Sequence, residues 1–153
     1  MKKIGLLGGM SWESTIPYYK IINETVNKHL GGYHSAEIVM VSVDFAEIEK
    51  LQTAGKWEEC GEILADTAKK LQLIGADFIV ICTNTMHKVL PEITSAITIP
   101  VLHIGIVTAY EILGRVQSQE DVFDDHPALG RGVRAVVDGG ERRLGPRPGV
   151  HGV

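Results

Sequence analysis

Four short apolar runs, at residues 4–7, 38–43, 78–81 and 99–104, are separated by longer segments in which apolar residues return every third or fourth position. Strand and helix signals alternating on this scale fit stacked β-α-β units. Their right-handed crossovers build an α/β fold: an open parallel sheet with helices on both faces. The first run ends at Gly8-Gly9. Ser11 can then cap a helix with Glu13 in its first turn, and Ile16, Tyr19, Ile22, Val26 and Leu30 form an apolar stripe before Gly31-Gly32. The second run is apolar on both faces, which predicts an interior strand. Next comes the most regular helix, with Trp57, Cys60, Leu64, Ala68, Leu71 and Ile74 on one stripe and Gly75 as its stop. Residues 78–81 read as a buried strand with a polar end at 82–85, and residues 86–90 as a short helix cut off by Pro91.

Composition narrows the class further. A chain of 153 residues suits one core better than two full domains, and 44% hydrophobic with 22% charged residues is the balance of a soluble globular protein. No apolar run is long enough to span a bilayer, and glycines interrupt the apolar residues that follow Lys2-Lys3, so the start reads as a strand and not as a leader. With only Cys60 and Cys82, a disulfide framework is not expected and a reducing cytoplasm is. A net charge of -4 argues against nucleic acid or an anionic membrane as partner. All nine lysines lie at or before Lys88, whereas all six arginines lie at or after Arg115. This break divides the chain into an α/β domain at 1–104 and a divergent, irregular tail at 105–153. The tail is expected to be poorly ordered apart from a short helix near Tyr110. A frameshift, a chimeric reading frame, a divergent extension and a linker would each produce such a break.

In an open parallel sheet, ligands bind at the carboxyl ends of the strands, and three polar groups fall there: Gly8-Gly9-Met10-Ser11, Asp44 and Cys82-Thr83-Asn84-Thr85. The glycine turn followed by a helix start can present backbone N–H groups to a carboxylate or phosphate, or be a plain strand-to-helix turn. The second cluster carries a thiol, two hydroxyls and an amide, which suits a nucleophile or proton carrier. Its plainer reading makes Thr85 a helix cap and Cys82 a small buried hydrophobe. His29, His34, His87, His103, His126 and His151 are too scattered for a zinc spacing, so no metal is expected. Asp44 reads as a cap on the segment after its strand and Cys60 as core. Trp12, Tyr18 and Tyr19 read as packing or subunit contacts.

Residues 4–15, IGLLGGMSWEST, and residues 82–87, CTNTMH, resemble signatures of the aspartate/glutamate racemase superfamily, in matching order and separation. Ser42-Val43-Asp44-Phe45 followed by Gln52, and the segment IPVLHI at 99–104, are similar to the same family. The resemblance implies the flavodoxin-like half of a two-domain racemase that needs no pyridoxal phosphate or other cofactor. It acts on a small-molecule amino acid, and a homodimer is expected from the likeness. One acid-base residue from each half would face each side of the substrate Cα. By family position, Met10, Gln52, Thr83, Asn84 and Thr85 would bind the amino acid. Where the family places a Cys before Asn-Thr, this chain has Thr83, with Cys82 one residue earlier. Thr83 is the first candidate for the proton carrier and Cys82 the fallback. A hydroxyl is a far poorer base than a thiol, which implies a racemase that favours one enantiomer. The family's second motif, a Gly-Cys-Thr-Glu-like segment, does not occur after Ile104. Racemisation by this chain alone is therefore expected to be incomplete. The rival readings are a dicarboxylate-binding or interaction module, a related hydantoin racemase or decarboxylase, and a broken gene product.

Overall fold

The computed structural model describes residues 1–114; the rest of the expected tail, with His126, His151 and all six arginines, lies outside the described residues. Four strands, β1 (Ile4–Gly8), β2 (Ile38–Ser42), β3 (Phe78–Ile81) and β4 (Val101–Leu102), pair in parallel in the order β2-β1-β3-β4. Five helices accompany them: α1 (Trp12–Leu30), α2 (Phe45–Thr53), α3 (Trp57–Leu73), α4 (Leu90–Ser95) and α5 (Ile104–Gly114). A 3-10 turn, Thr85–Val89, leads into α4. This is the open parallel α/β sheet that the alternation predicts, and α5 contains Tyr110.

Side-chain alternation along the strands creates two cores. Leu7, Ile79 and Ile81, with the half-buried Val39, Val41 and Val101, point to one face, where Ile48 of α2, Leu64, Ala68 and Leu71 of α3 and Ile93 of α4 close over them. Leu6, Phe78, Val80 and Cys82 point to the other, under Tyr18 and Ile22 of α1 and Ile104 of α5. Full burial of a leucine or isoleucine such as Leu64, Leu71, Ile79 or Ile81 stabilises by about 1.5–3 kcal/mol each. The stripe expected on α3 is the one observed from Cys60 to Leu71, and Gly75 ends the helix with φ 89°. Ile74 lies beyond its end and is half exposed.

Several expectations are corrected. Strand β2 is an edge strand among the described residues, and its Met40 is 48% exposed. On α1 the buried side chain is Thr15, with Tyr18 and Ile22 packing on the sheet, whereas Ile16 and Tyr19 face outward. Ser11 occupies the N-cap of α1 without a side-chain cap bond; its carbonyl oxygen instead accepts from the Ser14 and Thr15 hydroxyls (2.8 and 3.2 Å). Pro91 does not end a helix. It sits in the first turn of α4, where a missing N–H costs nothing. The expected fourth strand shrinks to two residues, because Pro100 has no N–H for the ladder and Ile104 already opens α5. Helix α2 has no counterpart among the elements read from periodicity, although Asp44 caps it as expected, accepting from the Ala46 N–H at 3.0 Å.

Candidate active site

The strand order reverses between β1 and β3: the chain leaves β1 for β2 on one side and returns to β3 on the other. At such a switch point the two outgoing connections diverge and leave a crevice at the carboxyl ends of the strands. Both predicted clusters lie there. Leu7 pairs with Ile81, the Cys82 N–H donates to the Leu7 carbonyl oxygen at 2.9 Å, and the Ser14 hydroxyl donates to the Cys82 carbonyl oxygen at 2.8 Å. The glycine turn, the first turn of α1 and the end of β3 therefore form one continuous rim.

The glycine turn is built to be tight. Gly9 has φ 92°, and a Cβ there would run into the Val43 carbonyl oxygen, so only glycine fits against the end of β2. The Gly9 N–H is not free for a ligand as the sequence reading supposes, because it donates to Thr15 Oγ1 at 3.0 Å. Met10 is 5% exposed and its side chain belongs to the core with Ile48 and Met86, which leaves its backbone for any contact with a substrate.

At the end of β3 the two neighbouring candidates part company. Cys82 is fully buried in the core under α1, its Sγ lies 3.8 Å from the Val80 carbonyl oxygen, and burial pushes its thiol up to about 12. Thr83 is half-buried, and Asn84 and Thr85 are exposed. Asn84 takes the N-cap position of the 3-10 turn, so Thr85 is not the cap. Gln52, near the end of α2, reaches this turn and donates from Nε2 to the Met86 sulfur at 2.7 Å. The structure thus gathers Met10, Gln52, Thr83, Asn84 and Thr85 around the ends of β1 and β3, with Cys82 turned away.

The role of Thr15 and the pairing of His87 with His103 escape the sequence reading, in which His87 fits the family's pattern after Asn-Thr as either a structural or a catalytic histidine. Thr15 shapes the glycine turn from six residues further along the chain, and its signal is a β-branched hydroxyl amid exposed residues of α1. His87 and His103 pack at 4.3 Å between ring centroids, with 50° between their planes. Their proximity across a strand connection leaves no mark in the sequence. Among the described residues no group of three or more His, Cys, Asp and Glu could hold a metal ion, and no helix is long and apolar enough to cross a membrane. Two surface hollows among the described residues, along α5 at Val107, Thr108, Glu111 and Ile112 and beside Lys69, Lys70, Gln72 and Leu73, are not lined by the rim residues.

Fold and rim together define an open α/β domain whose switch point is flanked by a glycine turn and a Thr-Asn-Thr segment. The chain belongs to the Asp/Glu/Hydantoin racemase family, whose sequence pattern matches residues 7–130. It is 31% identical over 114 residues to the broad specificity amino-acid racemase RacX of Bacillus subtilis, a match that covers 71% of this chain and 48% of that protein. The crystal structure of a candidate Asp/Glu racemase from Yersinia pestis superposes with a TM-score of 0.74 at 52% identity, covering 76% of this chain and 50% of that one. An aspartate racemase homologue from Pyrococcus horikoshii gives 0.70 at 36% identity, with 75% and 50% covered. The chain spans about half the length of these relatives.

Proposed function

We propose that this chain supplies one catalytic half-site of a cofactor-independent amino-acid racemase acting on aspartate or glutamate, with the Thr83 hydroxyl as the proton carrier on one side of Cα. The reading rests on one observation. The end of β3 presents Thr83, Asn84 and Thr85 at the same rim as the glycine turn, joined by the Ser14–Cys82 bond, while the neighbouring thiol is buried. Deprotonating an amino-acid Cα is difficult, because the carboxylate must be neutralised and carbanion charge stabilised by directed donors. The Asn84 amide, the Thr85 hydroxyl, the Gln52 amide and the backbone at Met10 are the donors available for that work. Cys82 is the poorer carrier, since a thiol pushed up to about 12 holds almost no thiolate near neutral pH. A hydroxyl in that role predicts a lopsided enzyme that exchanges one enantiomer much faster than the other. Two buried free cysteines fit a reducing cytoplasm.

Proton NMR of L- and D-aspartate in deuterated water tests this directly. We expect loss of the Cα–H signal from one enantiomer with the wild-type chain and not with Thr83→Ala. Equal exchange by both proteins refutes the role of Thr83.

A second reading is favoured by the coverage of about half of each relative. In it the chain binds a dicarboxylic amino acid without turnover. Calorimetric binding of aspartate with no exchange of its Cα–H selects that reading.

A further inference from the structure

His87 is not among the residues assigned to the substrate, yet its ring is tied to two of them. Its Nδ1 lies 2.9 Å from the Thr83 carbonyl oxygen and 3.2 Å from that of Asn84. Carbonyl oxygens only accept, so Nδ1 must carry a proton and bridge both. In the neutral ring Nε2 is then the lone-pair nitrogen, and that atom is buried with no partner. His103 has the opposite arrangement, because its Nδ1 accepts from the Gly105 N–H at 3.1 Å and so carries the lone pair. The two rings pack at 4.3 Å, one from the 3-10 turn and one from the link between β4 and α5.

We propose that His87 is a positioning residue for the reaction: held against His103 as the neutral Nδ1–H tautomer, it pins the Thr83 and Asn84 carbonyls so that their side chains face the substrate. The proposal rests on the racemase reading above and deepens it. Both carbonyls lie past the last residue of β3, where the chain changes from strand to 3-10 turn and the sheet no longer sets its direction. At that corner the Thr83 carbonyl accepts from the ring, and the Asn84 carbonyl accepts from the ring and from the His87 backbone N–H at 3.1 Å, so one residue fixes the orientation of two consecutive ones. Charge on the ring works against this arrangement. A proton on Nε2 would be buried and would sit against His103, and burial followed by the His103 ring lowers the His87 pKa accordingly. His103 is the titratable side chain that bears on His87; the other influences are the two carbonyls, which favour the proton.

The test uses the 153-residue chain. Nitrogen-15 NMR of labelled histidine reads the tautomer, hydrogen exchange reads the amides of the 85–89 turn, and Cα–H exchange in deuterated water of whichever aspartate enantiomer the wild type exchanges faster reads the reaction. Two variants separate donor from bulk: His87→Phe keeps a ring beside His103 but removes the donor, and His87→Asn keeps a donor near the place of Nδ1. We expect the Nδ1–H tautomer in the wild type. His87→Phe should exchange aspartate slower by up to about a hundredfold, the scale of a small misplacement of a reacting group. His87→Asn should keep most of the wild-type rate and lose the acid-side fall in rate that follows His87 protonation. An Nε2–H tautomer, a His87→Phe rate equal to wild type, or an acid limb that persists in His87→Asn overturns the proposal. If His87→Phe does not fold, the tautomer and the pH profile of His87→Asn still decide. A wild-type chain that exchanges no aspartate refutes the racemase reading. In that case the tautomer and unprotected turn amides in His87→Phe uphold the positioning of the turn, and protected amides overturn it.

Discussion

Replacing Thr15 by valine removes a hydroxyl while changing shape little, and the structure says what that hydroxyl does. Thr15 is 5% exposed, and its Oγ1 accepts from the Gly9 N–H at 3.0 Å and donates to the Ser11 carbonyl oxygen at 3.2 Å. The second bond is partly redundant, because the Ser14 hydroxyl also donates to Ser11 at 2.8 Å. The first has no substitute: the Gly9 N–H is buried and held in a turn that admits no side chain. A buried amide left without an acceptor costs about 1–3 kcal/mol, so Thr15→Val should destabilise by roughly 2 kcal/mol. At about 2–4 °C per kcal/mol for a chain of this size, the thermal midpoint should fall by about 4–8 °C. Thr15→Ser is the control. It keeps the hydroxyl and loses one buried methyl, worth about 0.8 kcal/mol. Urea unfolding followed by circular dichroism, with an unchanged denaturant slope, gives both differences. Were packing the whole role of Thr15, serine would be the worse substitution. That order, or a valine variant as stable as wild type, refutes the argument.

Three further outcomes follow from the same geometry. Gly9 and Gly55 both have positive φ, but a Cβ at Gly9 meets the Val43 carbonyl whereas one at Gly55 meets open space. Gly55→Ala should cost roughly 1–2 kcal/mol from backbone strain alone and Gly9→Ala clearly more, as read from urea midpoints; equal costs would mean the glycine turn is not tight. Burial pushes up both thiols, with the Glu59 carboxylate adding to the effect at Cys60. Iodoacetamide at mildly alkaline pH should therefore leave Cys60 and Cys82 unmodified in the folded chain and alkylate both in urea, as mass spectrometry would read. A folded chain that is alkylated at Cys82 contradicts the buried placement. For His87 the folded pKa lies below the ordinary 6.5, so the unfolded chain binds more protons in that range. Its contribution is present in full above 6.5 and is lost as pH falls through the lowered value, and urea midpoints should drop more steeply on the acid side in wild type than in His87→Asn. Parallel declines would show that His87 is not the group that titrates.

The periodicity of apolar residues reports which faces of an element are covered, and it served well where coverage was the question. It located α3 with its stripe from Cys60 to Leu71, and it found all four strands. It could not tell an edge strand from an interior one. Residues 38–41 are apolar on both sides, as in an interior strand, yet in the fold Ile38, Val39 and Val41 are only half-buried and Met40 and Ser42 are exposed. What distinguishes an edge is an unpaired row of backbone groups, which side chains do not encode. On α1, apolar residues at Trp12, Ile16 and Tyr19 and at Tyr18, Ile22 and Val26 offer two stripes to the same period. The stripe that packs is the one that brings Thr15 under the sheet end to accept from Gly9, so a polar residue decided the rotation of the helix.

The same alternation that builds the core also settles which candidate meets the rim. Leu6, Phe78, Val80 and Cys82 are even-numbered and lie under α1; Leu7, Ile79 and Ile81 are odd-numbered and lie under α3. Two adjacent residues on an extended strand cannot share a face, so the thiol of Cys82 and the hydroxyl of Thr83 were never both available. Register decides between them. Strand β1 pairs Leu7 with Ile81, which continues Cys82 into the core below Tyr18 and leaves Thr83 as the first residue free to turn outward. A shift of one residue in that register would exchange their roles, exposing the thiol and burying the hydroxyl. The three bonds that resist such a shift are Cys82 N–H to Leu7, Ser14 to the Cys82 carbonyl, and His87 to the Thr83 carbonyl. The first is a backbone bond of the sheet, the second reaches the motif from α1, and the third closes the CTNTMH segment on itself. The motif alone displays the reactive groups, whereas the bonds that choose between them become visible only when the sheet is assembled.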